Sequence, residues 1–317
     1  MASRTRHRLA VWPRAMAEGA ACAITRALAA MLAAVLLASL PGPAGGARAA
    51  TRPSIVAAEN SWGDLAAQVA GPDMAVTTLL ASPIADPHVY EPTPDDARHI
   101  ADATLVVANG AGYDGWVDRL VAAAGLPAVR YVRADSWPGW RDGGNPHLWF
   151  DLDAAAAFVR HVATACQQAD PAHASAYATR AADVLASIDT LAQTLQALRA
   201  RVGGQHIAAT EPLFAPLAER MGLVMEENAY QLAIMNGVEP APAAIAAFET
   251  DLAARKLRLV AYNQQVVEPS VERILDRARA AHVPLLPLTE TMPAGQHWQG
   301  WVRTTVEQAA HLLETAP

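Results

Sequence analysis

Cysteine is almost missing from this chain: there are two in 317 residues, Cys22 and Cys166. A lipid-bearing cysteine would have to follow the N-terminal apolar run, and Cys22 precedes it, so no lipid anchor is expected. Cys166, in the helical pattern AAAAFVRHVATACQQ (154–168), is then alone. One thiol forms no internal disulfide, and it reads as a small buried apolar residue. Long apolar runs are just as scarce, although hydrophobic residues make up 52% of the chain. Only ALAAMLAAVLLASL (27–40) is extended, and it falls short of the roughly 20 residues that cross a bilayer. It follows Arg4, Arg6, Arg8, Arg14 and Arg26 and precedes PGPAGGARAA, where Ala47-Arg48-Ala49 fits a small-x-small cleavage pattern. Residues 1–49 are therefore expected to be a Sec-type signal peptide cleaved near Ala49. The remainder is expected to be a soluble periplasmic monomer that is not itself transmembrane.

Positive charge is short as well. The formal net charge is −7, and losing residues 1–49 removes six arginines and one glutamate, leaving −12. A chain that acidic, with no basic stripe, lacks the electrostatic footprint of a nucleic-acid binder. No H-E-x-x-H or G-x-S-x-G appears either, which removes the commonest metalloprotease and serine-hydrolase motifs.

What is present is a steady alternation of short apolar segments and helical patterns. PSIVAAE, MAVTTLLAS, TLVVANG and VRYVRAD read as strands in the first half; HIAATE, LRLVAYN and VPLLPLTE do so in the second. TPDDARHIADA (93–103) carries helix-start signals: Thr93 to cap, Pro94 for the first turn, Asp95 and Asp96 at the positive end of the dipole. GWVDRLVAAAG ends a helix at Gly125, PLFAPLAERMG ends one at Gly222, and further helices follow to the C-terminal WQGWVRTTVEQAAHLLET. Alternation of this kind predicts an α/β fold with parallel sheets covered on both faces. Residues 171–204 contain no internal Pro or Gly before Gly203-Gly204. About thirty residues of helix reach ~45 Å, too long for a connector inside one small lobe. The expected organisation is an N-terminal lobe over 50–170, a connecting backbone helix over 171–204 and a C-terminal lobe over 205–317.

Two short segments stand out, DPHVYEP (86–92) and NPHLWFD (145–151). Each sets a histidine behind a proline, which stiffens the loop, and before an aromatic residue. His88 and His147 fall in loops after first-lobe strands; Glu211 and Glu290 read as the ends of second-lobe strands. Ligands of open parallel sheets bind beyond the carboxyl ends of strands, so these four side chains are candidate ligands of a divalent transition metal in an inter-lobe cleft. Two neutral imidazoles and two carboxylates balance a divalent charge. The donor set suits zinc, manganese, iron, cobalt or nickel and not copper(I). Tyr90 and Trp149 are placed to shield such a site. Glu91 and Asp151 are near enough in sequence to orient a ligand histidine through its second nitrogen, or equally to cap helices. His99, His161, His173 and His311 read as ordinary helix-surface residues.

These segments, with TPDDARHIADATLVVANGAGYDGWVDRL (93–120), ATEPLFAPLAERMGL (209–223) and PLTETMP (287–293), resemble the zinc/manganese (cluster A-I) solute-binding proteins of metal ABC importers. The resemblance runs the length of the chain. It implies two α/β lobes joined by a long backbone helix, with metal bound between them and delivered to a membrane permease. The family's ligand positions fall on His88, His147, Glu211 and Glu290. At Glu290 the family usually has Asp, and the added methylene shifts the carboxylate by about one carbon–carbon bond. Glu211 in place of histidine, and the absence of a histidine-rich loop, lean toward the manganese-like members. The reading from a different class is a secreted zinc-dependent metallo-enzyme. Such a site uses three protein ligands and a water, whereas four donors are on offer here, so no enzymatic activity is expected.

Overall fold

The computed structural model describes residues 52–82 and 90–315. The expected signal peptide, and His88 with it, lie outside the described residues.

The first half builds strand β1 (Ser54–Glu59), helix α1 (Asn60–Ala70), β2 (Ala75–Leu80), α2 (Pro94–Asp102), β3 (Leu105–Ala108), α3 (Gly115–Ala124), β4 (Tyr131–Arg133) and α4 (Leu152–Ala169). The expected start of α2 is realised in full. The Thr93 hydroxyl accepts from the Asp96 backbone N–H, and the Asp96 carboxylate accepts from the Thr93 backbone N–H, closing a capping box. Helix α3 ends on Gly125 in the left-handed conformation, φ 64°, which costs glycine nothing.

Helix α5 (Ala174–Val202) follows a single 3-10 turn and runs 29 residues without a break, about 44 Å at the α-helical rise. Beyond it come β5 (His206–Ala209), α6 (Ala215–Arg220), β6 (Val224–Met225), α7 (Asn228–Met235), α8 (Pro242–Ala253), β7 (Val260–Asn263), α9 (Pro269–Ala280), β8 (Leu285–Leu288) and α10 (Trp298–Thr315).

The two halves repeat one topology. Both sheets are four-stranded and wholly parallel, in the orders β2-β1-β3-β4 and β6-β5-β7-β8. Strand order reverses between β1 and β3 in one sheet and between β5 and β7 in the other. These reversal points open crevices at the carboxyl ends of the strands.

Side-chain alternation along the strands separates three apolar layers. Ile55 and Ala57 of β1, with Ile207 and Ala209 of β5, face a central core shared with α1, α4, α5 and α10. Val56, Ala58 and Val106 face an outer layer under α2 and α3, and Ala208 and Val260 face a second one under α8 and α9. Burial of both sheet faces is why these strands read as continuous apolar runs. The central core joins the halves: Leu191, Leu195 and Leu198 of α5 lie in it beside Phe158 and Leu217. Helix α10 returns from the second sheet to pack against α5 and α1.

Hydrogen bonds tie the halves further. Asn60 donates to the Met292 carbonyl and accepts from its N–H, at 2.7 and 2.9 Å. The Trp298 indole donates to the Trp149 carbonyl at 2.8 Å, and the Trp298 N–H donates to Asp64 at 2.8 Å.

Candidate metal site

The carboxyl ends of the central strands converge. Strand β1 ends in Glu59, β3 leads into Asn109, β5 leads into Thr210-Glu211, and β7 ends in Asn263. The two expected strand-end glutamates stand slightly beyond their strands. Pairing stops at Ala209 and Leu288, and Glu211 and Glu290 lie two residues further on, in the turns. Both are 1% exposed.

Their neighbour is Asn263, which the sequence reading passed over. One amide nitrogen, Asn263 Nδ2, donates to Glu211 Oε2 and to Glu290 Oε1, both at 2.7 Å. The other oxygen of Glu290 accepts from the Tyr113 hydroxyl at 2.6 Å. Tyr113 comes from the loop after β3, so this bond crosses from the second half of the chain to the first. Burial, and then the Glu290 and Glu59 charges, push the Tyr113 phenol well above its ordinary range. It therefore stays protonated and can act as the donor.

His147 is fully buried, in the loop ahead of α4, where Leu148–Phe150 form a 3-10 turn. Its Nδ1 lies 2.6 Å from Asn145 Oδ1, which also accepts the His147 backbone N–H at 3.1 Å. The Asn145 amide nitrogen donates to the Pro212 carbonyl at 2.7 Å, and this fixes which end of the amide faces the imidazole. Nδ1 must then carry the proton, so the lone pair of the neutral ring is on Nε2. The Trp149 ring stands edge-on to the imidazole, 5.2 Å between centroids, and Tyr113 lies 4.9 Å from Trp149. The contacts close a circuit: His147 to Asn145, Asn145 to the backbone beside Glu211, Glu211 through Asn263 to Glu290, and Glu290 to Tyr113 beside His147. His147, Glu211 and Glu290 are thus linked through one network of contacts between the two sheets. Among the described residues, no three His, Cys, Asp or Glu side chains form a metal cluster by themselves.

The expected supporting residues are placed differently. Asp151 caps α4, its Oδ1 accepting from the Asp153 and Ala154 backbone N–H groups at 2.8 and 3.2 Å. The histidine-orienting role passes to Asn145, whose side-chain carbonyl reaches the ring from two residues upstream. Glu91 is exposed. Trp149 walls the site, but Tyr90 packs its ring on Trp116 at 4.9 Å and donates to Asp96 at 2.9 Å, serving the start of α2.

Behind the first-half loops lies an acid pair that no motif announced. Glu59 and Asp114 are both about 1% exposed. Asp114 accepts the backbone N–H groups of Asn109 and Gly110 at 2.7 and 2.8 Å, and these bonds favour its ionised form. Burial, and then the Asp114 charge, raise Glu59 well above the ordinary carboxylate range. Burial also raises Asp114 to about 6. With both ionised, no donor lies between them. The raised Glu59 is the member of the pair favoured to keep a proton beside Asp114. The same loop is anchored by Asn109, which accepts from the Trp62 indole at 3.1 Å and donates to the Pro146 carbonyl, next to His147, at 2.9 Å.

Tyr113 and Asn263 were open to discovery by the rule that flagged the glutamates. Each is a polar residue at or just past the end of an apolar strand. Asn145 opens the NPHLWFD segment, but what orients its amide toward His147 is Pro212, 67 residues away.

Relatives bear on this arrangement. The chain is 30% identical over 181 residues to the manganese-binding lipoprotein MntA of Halalkalibacterium halodurans, covering 56% of this chain and 55% of that one. It is 28% identical over 171 residues to the iron-binding protein YfeA of Yersinia pestis, covering 50% and 53%. The chain therefore spans about half the length of these curated relatives. Its fold matches that of the periplasmic zinc-binding protein TroA from Treponema pallidum, with a TM-score of 0.69, 18% identity, and 83% of this chain and 99% of that one covered. Residues 55–311 match the family model of ZnuA, the zinc-uptake complex component A, periplasmic, and the chain belongs to that family.

Proposed function

We propose that this protein is the substrate-binding component of a metal ABC importer. It captures a divalent transition metal, zinc or manganese, outside the cytoplasmic membrane and delivers it to a membrane permease. His88, His147, Glu211 and Glu290 are the proposed ligands, with His88 supplied by the segment before Tyr90. In this reading residues 1–49 are a signal peptide, residues 50–170 and 205–317 are the lobes, 171–204 is the backbone helix between them, and the exported protein is a monomer.

The observation that carries the reading is the buried circuit joining His147 to Glu211 and Glu290. An imidazole with its lone pair on Nε2 and two carboxylates are held together out of water. Burying two like charges is costly unless a cation joins them, so the arrangement is suited to a divalent ion. The metals named for the relatives, manganese for MntA and zinc for TroA, support the same class of cargo. The relatives give no support to turnover, and the metallo-enzyme reading is set aside.

The test is a titration of the metal-stripped protein with zinc and with manganese. One tight equivalent, lost in His88→Ala and in His147→Ala, is expected. A protein that binds neither metal stoichiometrically would overturn the reading.

A further inference from the structure

Helix α1 carries a polar stripe. Asn60, Asp64 and Gln68 recur every four residues, so they share one face of the helix, and all three bond the chain where it enters α10. Asn60 holds the Met292 backbone in both directions, at 2.7 and 2.9 Å. Asp64 Oδ2 accepts the Trp298 backbone N–H at 2.8 Å, and its other oxygen lies 2.7 Å from His297 Nδ1. The Gln68 and Gln299 amides exchange hydrogen bonds at 3.0 and 2.8 Å, and Gln68 Nε2 also donates to Asp64 at 2.6 Å. Gln299 Nε2 reaches on to the Ser187 hydroxyl of α5 at 3.0 Å. The stripe supplies what α10 lacks. The first N–H groups of a helix need acceptors, and the residue ahead of α10, His297, is not one of the usual capping types. Asp64 provides an acceptor from 234 residues away, and its negative charge suits the positive end of the α10 dipole.

We propose that Asn60, Asp64 and Gln68 form a clasp that makes α10 part of the first half, so that the second sheet with α7, α8 and α9 opens as a separate cooperative unit. The chain passes from one unit to the other in the turn after β8, where Gln265 holds Thr291 at 3.2 Å and Asn60 takes Met292. This moves the end of the second lobe from residue 317 to that turn, and it does not depend on metal binding. Proteins open locally in units whose free energies of opening differ. Helix α10 also packs beside β8 and along α5, where Arg201 meets Glu314 at 2.6 Å. The clasp decides between these neighbours. If α10 left while the first half stayed folded, Asp64, whose side chain is only 12% exposed, would lose its partners, and a polar group left unsatisfied out of water is costly. The fully buried Trp298 would also surrender its bond to the Trp149 carbonyl. Opening α8 and α9 breaks none of these bonds. The apolar layer beneath them, with Phe248 and Ile274, includes no residue of α10 among the described residues.

The experiment is hydrogen exchange of the metal-free protein in low denaturant, read by mass spectrometry. Amides of α10 are expected to lose protection with the same denaturant dependence as those of α1, and apart from those of α8 and α9. Phe248→Ala, in the apolar layer under α8 and α9, is expected to speed exchange in those two helices by about 100-fold or more and to leave α10 unchanged. Asp64→Ala is expected to speed exchange at the start of α10 by about tenfold or more and to leave α8 and α9 unchanged. Exchange of α10 in step with α8 and α9, on its own, or as one unit with the whole chain would overturn the proposal. The wild-type grouping decides the matter even if neither variant folds. Since no metal is present, a protein that binds neither zinc nor manganese would overturn the metal-binding reading and leave this test intact.

Discussion

The Tyr113 hydroxyl donates to Glu290 Oε2 at 2.6 Å across 177 residues of sequence. It is a side-chain bond between the first sheet's loops and the second's, and it ends on a proposed metal ligand. Its removal by Tyr113→Phe leaves a ring of nearly the same shape against Trp149. Hydrogen bonds to charged groups contribute about 1.5–3 kcal/mol, and this one is made without metal, so the melting temperature of the zinc-free protein is expected to fall, and zinc affinity to fall by about tenfold or more as Glu290 loses its support. Calorimetric titration of both proteins measures this. Equal affinities would mean that Glu290 needs no support from across the cleft.

Asp151 and Asn145 separate two roles that look alike in sequence. Asp151 caps α4, and Asn145 holds His147 Nδ1. Asp151→Ala is expected to cost about 1 kcal/mol of stability, as lost N-caps do, and to leave metal affinity unchanged. Asn145→Ala is expected to weaken metal binding by about 10–100-fold, the usual effect of losing the group that orients a ligand imidazole. Unfolding curves and titrations on the same two variants decide it. The opposite pattern would restore Asp151 as the orienting residue.

Most of the fold was legible because its signals are local. Thr93, Pro94 and Asp96 act within one turn, Gly125 ends α3 on its own conformation, and α5 is an unbroken helical pattern. What escaped is what depends on distant partners. Strand β6 is two residues long and exists because Val224 and Met225 find His206 and Ile207. Asn263 gains its meaning only from groups on other elements, and Asn145, though it bonds His147 locally, has its amide oriented by Pro212, 67 residues away. Helix α1 carries Gly63 in its second turn, a residue that weakens a helix pattern. The reason for it lies on another element, since a Cβ at Gly63 would come within 2.3 Å of Thr78 Oγ1 on β2 and 3.2 Å of Ala57 Cβ on β1.

That close approach makes Gly63→Ala a test of tertiary packing against propensity. In an isolated helix the change would stabilise by about 1 kcal/mol. Here it meets Thr78, whose branched side chain has few alternative rotamers, and overpacking typically costs about 1–3 kcal/mol. The expected outcome is a net loss of stability in chemical denaturation. A more stable Gly63→Ala protein would show that β2 yields without cost.

Glu59 and Asp114 predict an unusual pH dependence. Both carboxyls titrate above their ordinary range, Asp114 moving from 3.8 to about 6 and Glu59 well upward from 4.5, chiefly through burial. The folded protein therefore binds these protons more tightly than the unfolded chain does. Wherever the folded state holds more protons, stability falls as pH rises. The pair's contribution is at its most favourable below about pH 4, is lost through the Asp114 range near 6, and declines further as Glu59 is forced to ionise. Glu59→Gln keeps a donor facing the ionised Asp114 and removes the second acid. Relative to wild type, the metal-free variant should gain melting temperature between pH 5 and pH 8 in calorimetric scans. A constant difference between the two proteins across that range would show that no proton is shared by the pair.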